Sequence, residues 1–96
     1  MVSLALVEAC AERLWPESHH AVIALPDPRR GEQLVLVTDR QGAARDALLA
    51  AARESGLGEL FVPRTILTAA KLPLLATGKV DYPAVLALAT ERVGGG

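Results

Sequence analysis

Two short apolar runs bracket a turn-rich segment, and that pairing limits what the chain can become. Ala21-Val22-Ile23-Ala24-Leu25 is closed by Pro26-Asp27-Pro28, and after Arg29-Arg30-Gly31-Glu32 a second run follows, Gln33-Leu34-Val35-Leu36-Val37-Thr38. Runs this short, rich in β-branched residues and separated by Pro, Asp and Gly, read as two strands of an antiparallel hairpin. A hairpin alone is not stable in water, so the rest of the chain must cover it.

The flanking segments carry a different period. Leu4, Val7, Ala11 and Leu14 recur at helical spacing from Ser3, a good N-cap, to about Trp15, where Pro16 stops the pattern. Ala44, Leu48, Ala51 and Ala52 form the stripe of a second helix that runs to about Ser55 and is ended by Gly56. Phe61-Val62-Pro63-Arg64-Thr65-Ile66-Leu67-Thr68 reads as a third strand, with Pro63 tolerable only at its start or on an edge. A loop carries Lys71 to Lys79. Asp81 then caps a last helix with Pro83 in its first turn, and Leu86, Ala89 and Val93 supply its buried face. Residues 94–96 are all glycine and are expected to fray as a disordered tail. The expected order is α-β-β-α-β-α: a small α/β (α+β) domain in residues 1–93 with a mixed three-stranded sheet flanked by helices. The crossover through the second helix lets the third strand join in parallel.

At 96 residues there is room for one modest core. Only Trp15, Phe61 and Tyr82 are aromatic, so that core is aliphatic and base stacking is poorly supplied. Ten basic against eleven acidic side chains, with no like-charge run, give nothing that draws the chain to nucleic acid or anionic membrane. The Arg29-Arg30 pair is too short for a nucleic-acid footprint. No stretch approaches the roughly 18 apolar residues of a membrane span, and the N-terminus lacks a secretory pattern, so the expected location is cytoplasmic. Cys10, the single cysteine, lies on an apolar helix face with no basic neighbour in view, which favours an inert buried thiol.

Candidate chemistry converges on one loop. Pro73-Leu74-Leu75-Ala76-Thr77-Gly78-Lys79-Val80-Asp81-Tyr82 sets a lysine after a glycine just ahead of a helix. A P-loop needs a glycine where Pro73 stands and a hydroxyl residue where Val80 stands, so it is excluded. His19 and His20, adjacent on entry to a strand, point to opposite faces and hold no metal together. Ser3, Ser18 and Ser55 lack an ordered His-acid partner in sequence. Lys71 and Arg64 read as soluble surface.

Taken together, these segments resemble the C-terminal subdomain of adenylate-forming enzymes, the superfamily of acyl-CoA synthetases and AMP-dependent ligases. The loop is similar to that family's Pro-x-x-x-x-Gly-Lys signature. Val7-Glu8 resembles its helix pair, His20 to Asp27 its strand ending in Pro-Asp, Gly31-Glu32 its Gly-Glu, and Val62-Pro63-Arg64 completes the series. Met1-Val2-Ser3-Leu4, Val62-Pro63-Arg64 and Leu72-Pro73-Leu74-Leu75 most resemble the synthetase part of bifunctional acyl-carrier-protein synthetase/2-acylglycerophosphoethanolamine acyltransferases.

The resemblance implies ligase chemistry in fatty acid metabolism: an acid and ATP with magnesium give an acyl-adenylate, which passes to coenzyme A or a carrier-protein phosphopantetheine. Lys79 would be the catalytic residue, supported by Gly78 and Thr77 in its loop, with Gly78 also leaving room for approach. The domain would act as a lid that rotates between the two half-reactions. Its partners would be an N-terminal adenylation domain lying upstream of Met1 and an acyl carrier protein. By itself the chain is expected to be inactive and to hold no cofactor stably. Where the family often has Arg three residues after the lysine, Tyr82 stands here. Glu8 is expected to be structural, paired with a basic group after the hinge. The alternative reading is a freestanding interaction or dimerisation module of the same fold.

Overall fold

A computed structural model describes residues 4–27, 29, 31–58 and 62–94. Helix α1 spans Leu4–Leu14 and leads into β1, His20–Asp27, which turns back as β2, Gly31–Thr38. Helix α2, Arg45–Glu54, crosses to β3, Thr65–Thr68, and α3, Tyr82–Ala89, is followed by a π-helical turn over Thr90–Gly94. The expected order and the mixed sheet are both present. The sheet runs β1-β2-β3, with β1 antiparallel to β2 from His20 opposite Thr38 to Asp27 opposite Gly31. β3 lies parallel to β2, Val35 opposite Thr65 through Thr38 opposite Thr68.

The unbroken apolar character of β1 and β2 is explained by helices on both faces, because successive side chains point to opposite sides and here both sides are dry. Val22 and Leu36 pack with Val7, Cys10, Ala11 and Trp15 of the α1 region and with Leu48 and Ala52 of α2. Ala21, Ile23, Leu25, Val35 and Val37 face the other way, onto Leu72, Val85 and Ala89.

Two expectations change. β3 begins at Thr65 instead of Phe61. To lengthen it backward, Pro63 would have to enter the ladder without an N–H, and the Pro63 carbonyl is instead taken by Arg45 Nε at 3.0 Å. Val62 and Pro63 are buried all the same, as packing outside the strand; Phe61 lies outside the described residues. In α3, Val85 joins Ala89 as the buried pair, while Leu86 is 44% exposed. The amide of Val85 donates to the Asp81 carbonyl at 2.9 Å, which fixes the helical phase so that Val85 and Ala89, four apart, meet the sheet. The Ser3 cap, the Val93 side chain and Gly95–Gly96 fall outside what is described, and the helical path continues to Gly94.

Helix α2 stops as its sequence suggests. Gly56 takes φ +80°, its amide donates to Arg53 O at 3.1 Å and that of Leu57 to Ala52 O at 2.9 Å, the paired bonds of a Schellman motif. No helix among the described residues is long and apolar enough to cross a membrane.

Candidate functional site at the loop before the last helix

The segment from Leu72 to Asp81 folds as a small hairpin on the sheet's α3 side. Leu72 is buried in the core, and Leu74 and Val80 pair across the hairpin. The Gly78 amide donates to Leu75 O at 2.8 Å, and the Leu75 amide donates to Lys79 O at 2.7 Å. With Gly78 at φ +89°, this is the pattern of a three-residue loop closed by a left-handed residue. Nothing within this chain lies within 4 Å of where a Gly78 Cβ would stand, and the backbone conformation by itself favours glycine there. The Asp81 amide donates to Pro73 O at 3.1 Å and closes the base of the loop. Asp81 also caps α3, its Oδ1 accepting from the Ala84 amide at 3.2 Å, with Pro83 in the first turn.

Thr77, Gly78 and Lys79 are therefore carried on a tightly bonded tip, and all three are exposed. Among the described residues no acceptor pairs with the Lys79 ammonium. A cation of this kind, on a long stem from a fixed backbone, can reach an anion presented from outside the chain. Lys71 is exposed too, and Arg64 lines a cavity of 370 Å³ together with Asp27 and Glu32 at the other end of the sheet.

Just after the loop, Tyr82 Oη donates to Glu8, 2.6 Å from Oε1 and 2.8 Å from Oε2. Glu8 Oε2 also accepts the Val22 amide at 3.0 Å, on the edge of β1 that no strand covers among the described residues. Within this chain Glu8 thus has a phenol and a strand amide as partners. Burial, then the hydrogen bond and negative charge of Glu8 and the charge of Glu12, push the Tyr82 hydroxyl up to about 12. Sequence reasoning noted both residues and did not join them, because 74 positions separate them. The one available signal was a hydroxyl where the resembled signature often sets a cation. Leu4, Glu8, Val22, Tyr82 and Leu86 line an open apolar groove of 630 Å³ between α1, the β1 edge and α3.

The histidines part company. Buried His20 sets Nε2 2.9 Å from the Trp15 carbonyl and Nδ1 2.8 Å from Thr38 Oγ1. A carbonyl only accepts, so Nε2 carries hydrogen and, in the neutral imidazole, Thr38 donates to Nδ1, while Thr38 Oγ1 accepts the Arg40 amide at 3.0 Å. Exposed His19 instead pairs with Asp39, its Nδ1 3.0 Å from Oδ2, and its amide donates to Oδ1 at 2.8 Å. Among the described residues no group of three or more His, Cys, Asp or Glu gathers as a metal site. Cys10 is buried, but Arg13 Nη2, unseen in the sequence reading, comes within 3.9 Å of its sulfur. The same guanidinium donates to Ser55 Oγ. Ser55 is thereby occupied by a cation with no His-acid pair.

No protein-family model matches the sequence. Solved structures do match the fold. The amide bond synthetase McbA from Marinactinospora thermotolerans is 28% identical over 91% of this chain, with a TM-score of 0.72. That protein is a synthetase by name. An acyl-CoA synthetase from Brucella canis matches over 95% of the chain at 22% identity and TM-score 0.73. ATP-bound MatB from Rhodopseudomonas palustris also matches over 95%, at 20% identity and TM-score 0.72, and like the Brucella protein it speaks for the fold alone. The chain spans only 18% of the length of each of these proteins.

Proposed function

We propose that this chain is the C-terminal lid domain of an ATP-dependent, adenylate-forming synthetase that makes acyl-CoA or acyl-carrier-protein thioesters, and that Lys79 is its catalytic cation. The observation that carries the reading is an exposed lysine on a rigid hairpin tip, within a fold that synthetases share. The finer assignment is to the synthetase part of a bifunctional acyltransferase, which rests on the wording at Met1–Leu4, Val62–Arg64 and Leu72–Leu75.

The residues present fit one part of the task. When a carboxylate attacks the α-phosphate of ATP, negative charge builds on the phosphoryl oxygens, and an ammonium held there lowers the barrier. Lys79 would supply that charge, Gly78 the left-handed turn that presents it, and Thr77 the tip beside it. Magnesium, nucleotide and acyl contacts would come from a preceding N-terminal domain, and the acceptor thiol from coenzyme A or a carrier-protein phosphopantetheine. Rotation of the lid would withdraw Lys79 for the second half-reaction, a hinge movement of the kind that gates many turnovers. The isolated chain would then bind no cofactor stably and form no adenylate.

The decisive experiment grafts this chain onto the large domain of McbA in place of the matching segment and follows pyrophosphate release from ATP and that synthetase's own acid. Lys79→Ala should lower the rate about 10²- to 10³-fold, while transfer from a preformed adenylate survives. Unchanged adenylation in that variant would remove Lys79 from the mechanism.

A second reading, a freestanding interaction module, is favoured by the apolar groove whose rim holds Leu86, 44% exposed, and Tyr82, 43% exposed. A graft that stays active with Lys79→Ala, together with self-association or partner capture through this groove, would select it.

A further inference from the structure

We propose that Glu8 and Tyr82 are a positioning pair that holds the Lys79 loop in register with the body of the domain. The inference rests on the reading of Lys79 just given and extends it to two residues 74 positions apart. Among the described residues, the Asp81 side chain bonds the segment from Pro73 to Tyr82 to the first turn of α3, and the phenol-carboxylate contact is the side-chain hydrogen bond that ties it to α1.

Tyr82 is the first residue of α3 and stands three residues after Lys79, so fixing its hydroxyl fixes the end of the loop nearest the lysine. The anchor is itself anchored. Glu8 Oε2 accepts a backbone amide of β1 at 3.0 Å, and that amide moves only with the sheet. One carboxylate therefore joins α1, the β1 edge and α3. Asp81 bonds onward to Ala84 and Val85 of α3, while the bonds of Leu75 with Lys79, Gly78 with Leu75 and Asp81 with Pro73 are internal to the loop. They fix its shape, whereas Glu8 and Tyr82 fix where that shape stands. A lid that swings as a unit must carry its cation to a phosphate without slack, since a misplacement of about 1 Å can cost on the order of 10²-fold in rate.

The ring of Tyr82 stays in place when the hydroxyl is removed, so Tyr82→Phe isolates the bond. In the isolated chain, Tyr82→Phe should raise amide hydrogen exchange at Leu75 and Gly78 by about fivefold or more and leave Val35 and Val37 in β2 unchanged. In the McbA graft it should lower kcat for adenylation about tenfold with KM for ATP unchanged. Tyr82→Arg, whose guanidinium can reach the same carboxylate, should recover kcat to within about twofold of the parent. Exchange that is unchanged at the loop, or that rises equally at Val35 and Val37, overturns the pair as a positioning device. So does a Tyr82→Phe graft of parental kcat in a background where Lys79→Ala is inactive. If Lys79→Ala is instead silent, the catalytic reading fails, and the exchange measurement alone decides whether the pair orders the loop.

Discussion

The amide of Leu75 donates to the carbonyl of Lys79 at 2.7 Å, so the backbone of the candidate lysine is clamped while its side chain stays exposed. Such an arrangement separates two demands on a catalytic cation. The hairpin gives it a fixed origin, and the long stem lets the charge meet an anion that this chain does not hold.

The clamp depends on a left-handed residue. Gly78→Ala should destabilise the fold by about 1–2 kcal/mol, because an L-residue at φ +89° is strained even where its Cβ meets nothing. Denaturant unfolding measures that loss, and adenylation by the graft should fall with Lys79 itself intact. Gly78→Asn, which tolerates this region better, should lose less of both.

Buried His20 and Thr38 give a second expectation. Thr38→Val keeps the shape and removes the hydroxyl, leaving His20 Nδ1 without its donor and the Arg40 amide without its acceptor. The cost should be about 1–3 kcal/mol in chemical denaturation, well above that of an exposed substitution.

Stability should fall in acid through Asp39. Burial by itself would raise its pKa, but hydrogen bonds from the amide and ring of His19, the charge of that ring and a bond from the Leu72 amide outweigh it, holding the carboxyl below its ordinary 3.8. A lowered folded pKa means the contribution is complete above 3.8 and is lost as pH drops through the folded value. Asp39→Asn should be less stable than the parent at neutral pH and should flatten the decline below about pH 4. Unfolding curves across that range check both.

The alkaline limb should report on Tyr82, the chain's single tyrosine. Its hydroxyl is pushed up to about 12 by burial and by Glu8 and Glu12, against 10 when unfolded. The stability it adds is therefore complete below pH 10 and drains away as pH rises through 12. Ultraviolet absorbance should show a late phenol titration, and Glu8→Gln should move it back toward 10 and shrink the alkaline loss.

What could be read from the residues follows from local rules. Period-2 and period-3.6 patterns gave the helices and strands, Asp81 gave the start of α3, Gly56 the end of α2, and the Gly78-Lys79 pair the loop. Each depends on neighbours a few positions away, so it is present in the chain before folding. The late start of β3 at Thr65 needed more, because it reflects how Pro63 meets the neighbouring strand and where Arg45 finds an acceptor.

Tertiary structure alone decided the rest. Which residue of α3 turned inward was set by the helical phase against a particular pair of strands, and it chose Val85 over Leu86. Glu8 and Tyr82 met because α1 and α3 both border the uncovered edge of β1, and Arg13 found Cys10 and Ser55 because α1 lies beside the end of α2. Hydrogen bonds and packing act over a few ångströms, and sequence does not state which distant residues will come that close. The loop lysine was thus legible in the chain, and the Glu8–Tyr82 contact beside it was not.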